Sequence, residues 1–96
     1  MIAVRLAIGN PDKASERDIY FEDHKKYLRS GALDIIQSGP ILCEAGRGQG
    51  GMVVANVNTL EEMRRFSDND PFVQNGVYGL VEIYEWTPTI DNMASN

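Results

Sequence analysis

His24 is the only imidazole in the chain, and it is the side chain best suited to moving protons near neutral pH, because its unperturbed pKa is about 6.5. It falls on a stretch in which Tyr20, His24, Tyr27 and Leu28 recur at i, i+4, i+7 and i+8, so a helix would carry all four on one face. A neutral imidazole on that face needs partners for its ring nitrogens, and a structural histidine satisfies that need as readily as a reactive one. Asp70 is the carboxylate that could make the difference. It precedes Pro71, a pattern typical of a helix start, where the aspartate accepts from an amide two or three residues on. One carboxylate oxygen can cap while the other accepts from His24, and a carboxylate so placed would fix the tautomer of a general base.

Other reactive types carry less. Cys43 is the lone cysteine, so it forms no internal disulfide, and no cationic neighbour marks it as an activated nucleophile. No HxxxH or CxxC spacing is present, so no metal site is expected. Gly46, Gly48 and Gly51 formally satisfy G-x-G-x-x-G, but that dinucleotide fingerprint needs a strand before it and a helix after it. Here a strand follows, so the segment reads as a flexible hairpin connection or lid, with Arg47 at its tip. The acidic residues Glu61, Glu62 and Asp68 read as a solvated helix and loop.

The elements that must position His24 and Asp70 follow from periodicity. Residues 2–8 alternate, Ile2, Val4, Leu6 and Ile8 on one face and Ala3, Arg5 and Ala7 on the other, which makes a strand ended by Gly9, Asn10 and Pro11. Ser15 with Asp18 is a candidate helix start, and Gly31 a left-handed stop. Residues 33–42 read as a second strand interrupted near Ser38, Gly39 and Pro40; the proline implies an edge or a bulge. Residues 52–57 form a third strand. Thr59 with Glu62 is a capping box opening a helix whose inner face carries Leu60, Met63 and Phe66. A helical turn after Asp70 ends at Gly76, and a last strand runs from about Val77 to Trp86, followed by a short polar tail over 89–96.

The order β, α, β, β, α, β predicts an α+β, ferredoxin-like βαββαβ sandwich, with both helices on one face of an antiparallel sheet. In the last strand Leu80, Tyr84 and Trp86 point one way and Val81 and Ile83 the other, so both faces carry apolar bulk. A chain of 96 residues buries only roughly two thirds of its unfolded surface. A homodimer packed sheet to sheet is therefore expected.

The residues HKKYL around His24, Arg17 seven positions before it, the turn SGP at 38–40 and NDPFVQNGVY at 69–78 together resemble the YCII-related family of the dimeric α+β barrel group. The resemblance covers residues 1–88. It implies that the histidine of the first helix and the aspartate of the DP motif, here His24 and Asp70, form a catalytic dyad. It also implies a cofactor-free enzyme acting on a small molecule, and one family activity is dehydrochlorination of a chlorinated hydroxyhydroquinone. Arg17, Ser38, Gly39 and Phe72 are the candidate substrate-binding residues, with Tyr20 and Tyr27 as further candidate walls. Members often carry a second arginine three residues before the histidine, where this chain has Phe21. The alternative is a noncatalytic dimeric module that binds a metabolite or assembles, with His24 as a wall residue and Asp70 only a cap.

Composition narrows the rest. With 43% hydrophobic and 24% charged residues the chain should fold, and a net charge of -5 with scattered Lys and Arg disfavours nucleic acid. No apolar run approaches the ~18 residues of a membrane span, and the N-terminal stretch carries Arg5 and no leader pattern, so a cytoplasmic location is the default expectation.

Overall fold

A computed structural model describes residues 1–92; of the tail expected over 89–96, residues 93–96 lie outside the described residues. The chain runs β1 (Ile2–Gly9), a 3-10 turn (Pro11–Lys13), α1 (Ala14–Leu28), β2 (Asp34–Leu42), β3 (Gly48–Asn56), α2 (Leu60–Asp68), α3 (Pro71–Gln74) and β4 (Tyr78–Trp86). The four strands form one antiparallel sheet in the order β2-β3-β1-β4, the ferredoxin-like arrangement that the element order predicts.

Register fixes the faces. Arg5 pairs with Val53 and Ile83, and Ala3 with Ala55, so these residues share one face, and there Met63 and Phe66 of α2 close the core with Leu33 and Val57. Alanines at 3 and 7 leave room for helices to lie close. The bulkier residues of β1, Ile2, Val4, Leu6 and Ile8, point to the other face, beside Met52, Leu80, Tyr84 and Trp86. Those four partners are 40–51% exposed.

Several local details differ from expectation. α1 does not start on a Ser15 cap: Asn10 caps the 3-10 turn through Asp12, and that turn runs directly into the helix. β2 is not interrupted at 38–40. Ser38, Gly39 and Pro40 pair with Val53, Met52 and Gly51, and the irregularities fall at Ile36 and between Ile41 and Leu42. Pro40 is tolerated because β2 is the sheet edge. The glycine-rich segment is not a lid. Gly48, Gly50 and Gly51 are strand residues of β3, and the connection is the tight turn closed by the Cys43 amide on the Arg47 carbonyl. Gly50 is needed for backbone approach, since a Cβ there would lie 1.8 Å from the Ala7 carbonyl oxygen.

The Thr59 cap forms as predicted. The Glu62 amide donates to Thr59 Oγ1 at 3.3 Å, and the Glu62 carboxylate accepts from the Asn58 amide at 3.1 Å. Among the described residues no helix is long and apolar enough to cross a membrane.

Candidate functional site

α1 carries His24 on its single buried position. The helix is held against its neighbours by Tyr27, whose ring stacks on Phe66 at 4.8 Å and whose hydroxyl donates to the Phe66 carbonyl at 2.8 Å. Tyr27 is thereby a strut rather than a wall of the cleft, and Tyr20 lies outside the cleft as well. From the end of α2 the chain turns through Asn69 into Asp70, whose amide donates to the Ser67 carbonyl at 3.1 Å. Asp70 then caps α3 through the Phe72 amide, 2.9 Å from Oδ1. Gly76, at φ 70°, turns the chain out of α3 so that Tyr78 can begin β4.

The cap oxygen has a second partner. His24 Nδ1 lies 2.7 Å from Asp70 Oδ1 and donates to it when that nitrogen carries the proton, with Asp70 fully buried and His24 only 6% exposed. The proximity that the sequence leaves open is present. Phe72 packs its ring on the imidazole at 4.0 Å and 3°, and Tyr78 meets both rings edge-on, at 5.8 Å from His24 and 5.3 Å from Phe72. With Nδ1 engaged, Nε2 is the ring nitrogen available to a ligand.

Arg5 is the member of this cluster that periodicity does not reveal. It is 1% exposed, and its Nη1 donates to Asp70 Oδ2 at 2.9 Å, on the oxygen that His24 does not use. The signal in the sequence is an arginine between two alanines on an otherwise apolar strand.

Burial alone would push the Asp70 carboxyl up. The hydrogen bond from His24, the charges of His24 and Arg5, and the Phe72 amide outweigh it and hold the group below the usual carboxylate range. Burial pushes the Tyr78 hydroxyl up, although Arg5 pulls the other way.

A cleft of about 490 Å³ opens in front of this cluster. His24, Phe72, Arg17, Ser38 and Gly39 all line it, so the two candidate dyad residues and the four candidate binding residues converge, Asp70 from behind His24. Arg17 stands at the rim with its guanidinium 5.9 Å from the Phe21 ring. Phe72 presents less than expected, because one face of its ring is taken by His24. Phe21 and Tyr78 supply the aromatic wall instead. Cys43 lies at the β2–β3 turn, outside the cleft, and among the described residues no three His, Cys, Asp or Glu side chains gather as metal ligands would.

The model of the YCII-related domain matches residues 1–87. The chain belongs to that family. Curated protein sequences include no match. Among solved structures, the chain is similar to 5-chloro-2-hydroxyhydroquinone dehydrochlorinase from Burkholderia phenoliruptrix, solved in complex with 2,5-dihydroxybenzoquinone. The TM-score is 0.79 at 21% identity, over 91% of this chain and 94% of that one. An Arabidopsis thaliana protein refined as an ensemble matches with a TM-score of 0.49 at 13% identity, over 96% and 98% of the two chains. The likeness to the dehydrochlorinase is one of fold, and it agrees with the ferredoxin-like topology of this YCII-related chain.

Proposed function

We propose that this YCII-related protein is a small-molecule enzyme in which His24 is a general base, Asp70 orients it and stabilises the imidazolium, and the substrate is a hydroxylated or halogenated aromatic. The observation that carries this reading is the 2.7 Å contact between His24 Nδ1 and a fully buried Asp70, at the back of a cleft with aromatic walls. The dehydrochlorinase of similar fold guides the choice of reaction.

For a chlorinated hydroxyhydroquinone the chemistry balances without an external oxidant. His24 takes a phenolic proton, and the ring ketonises by accepting a proton at the carbon bearing chlorine. The C–Cl electron pair then leaves with chloride as a second phenolic proton is lost. The products are a hydroxybenzoquinone and HCl: the ring is oxidised as the C–Cl bond is replaced by C–H. Arg17 and Ser38 would hold ring oxygens while Gly39 leaves the edge of β2 open to them.

The active form is proposed to be a homodimer. Leu80 is 51%, Tyr84 49% and Trp86 47% exposed on the sheet face that no helix covers, and a second copy would hide them.

One observation favours a noncatalytic binding module: Asp70 is already accounted for by capping α3 and pairing with Arg5. Chloride release from a chlorinated hydroxyquinol separates the readings. The enzyme predicts turnover that His24→Asn abolishes with the quinol still bound; wild-type binding with no chloride released would assign the cleft to the module.

A further inference from the structure

Arg5 is an expensive residue to place where it is. It sits mid-strand in β1 beneath the helices, flanked on its face by Ala3 and Ala7, and a buried guanidinium loses its water. The compensation it receives is incomplete. Nη1 has Asp70 Oδ2 at 2.9 Å and Ser67 Oγ at 3.5 Å, and the rings of Phe66 and Tyr78 lie 5.7 and 5.4 Å from the guanidinium carbon. Nε is buried with no hydrogen-bond partner among the described residues. An apolar side chain of similar length would fill this space without stranding a donor. The charged contact Arg5 does make is to the carboxylate that orients His24.

The consequence is a charge balance. With His24 neutral, Arg5 and Asp70 cancel; with His24 protonated, the cluster carries a net positive charge in a nearly dry site. The surroundings add to that charge. From α1, Arg17 and Lys25 reach the same cleft, Lys25 being paired with Glu22 at 3.0 Å, and Arg29 follows at the helix end. β4 contributes the uncharged Tyr78 hydroxyl, α2 contributes Ser67 and α3 contributes Phe72. Among the described residues no Asp or Glu lines the cleft.

We propose that Arg5 is a positioning residue that acts through Asp70 on His24, holding the Asp70 carboxylate so that it fixes the Nδ1-protonated tautomer with Nε2 free as a base, and offsetting the pull of that carboxylate toward the imidazolium. Arg5 does so in two ways. It occupies Oδ2, so that Oδ1 alone faces His24 Nδ1 and the Phe72 amide, and its charge opposes the imidazolium. What the base is for rests on the proton-transfer reading above; the charge coupling itself does not.

The experiment therefore needs no substrate. The ring protons of the single histidine are followed by NMR against pH in the wild type, Arg5→Met and Arg5→Lys. The expected result is a titration midpoint about one unit higher in Arg5→Met, the scale on which one neighbouring charge acts, with Arg5→Lys staying near the wild type. A midpoint unchanged in a folded Arg5→Met protein overturns the proposal. Should Arg5→Met fail to fold, Arg5→Gln takes its place, keeping a donor for Asp70 Oδ2 while removing the charge. Its midpoint must again rise, and its failure to rise is again decisive. Loss of chloride release in His24→Asn with no such shift would remove Arg5 while sparing the catalytic reading; a shift without turnover in any variant would do the reverse.

Discussion

The rings of His24 and Phe72 lie parallel, 4.0 Å apart and 3° from coplanar orientation. The imidazole is thus held twice by one short segment, at its Nδ1 by Asp70 and across its face by the residue whose amide Asp70 caps. α3 is only Pro71–Gln74, yet its cap and its first core side chain fix the ring in both position and tilt.

Phe72→Leu keeps an apolar filler and the cap but removes the stacked face. We expect a loss of about 1–2 kcal/mol in stability, from a small cavity and a lost aromatic pair. We also expect a fall in chloride release of roughly tenfold or more, because a base free to tilt spends less time in line with its proton. A thermal melt and a chloride assay on the same preparation check both. Undiminished turnover per folded molecule would mean that the stack is packing alone.

Asp70→Asn tests the other support. The amide can still cap α3, but Arg5 is left buried without its counter-charge, which costs about 3–5 kcal/mol where a buried pair is broken. The pH dependence has a definite sign. Because Asp70 titrates in the fold below its ordinary range, its contribution is complete above the unfolded carboxylate value near 3.9 and fades as the pH falls through the lower folded value. Denaturant midpoints taken from pH 6 downward should therefore fall less steeply below about pH 4 in the variant than in the wild type.

Gly50→Ala tests how tightly β3 meets β1. Its Cβ would sit 1.8 Å from the Ala7 carbonyl oxygen, which is backbone and cannot rotate away, so we expect a cost of about 3 kcal/mol or more, or no soluble protein. Gly48→Ala is the control, since nothing lies within 4 Å of a Cβ there, and it should melt close to the wild type. Equal melting of the two would mean that the sheet yields at Gly50.

Strand and helix order was legible because β1, α2 and β4 carry clean periods, and the Thr59 and Asp70 caps announce themselves locally. The His24–Asp70 pair was legible only as a possibility, since 46 residues separate the partners and spacing says nothing about folding distance. Two features were hidden for physical reasons. Alternation in β1 gives two faces without saying which one the helices cover, and the bulkier, more apolar face is the uncovered one because small residues beneath the helices allow close approach. That inversion conceals Arg5, which on a conventional reading would point to water. In 48–51, glycine content suggests a loose loop, whereas the backbone approach at Gly50 requires glycine within a paired strand.

The uncovered face leads to the last prediction. Ile2, Val4, Leu6 and Ile8 run down its centre with Met52 on one side and Leu80, Tyr84 and Trp86 on the other, an apolar surface larger than scattered exposed residues would make. The wild type should sediment at twice the chain mass at micromolar concentration. Leu80→Glu replaces a half-exposed side chain, so it leaves the monomer fold nearly untouched, but in a sheet-to-sheet dimer it buries a carboxylate against apolar neighbours. We expect its dissociation constant to rise at least about tenfold, with Trp86 fluorescence moving to the red as the indole is wetted. Because His24 lies with Asp70 and Arg5 on the opposite face, the His24 ring signals of the variant should keep their positions. A wild type that sediments as a monomer would leave this face uncovered and end the case for the homodimer.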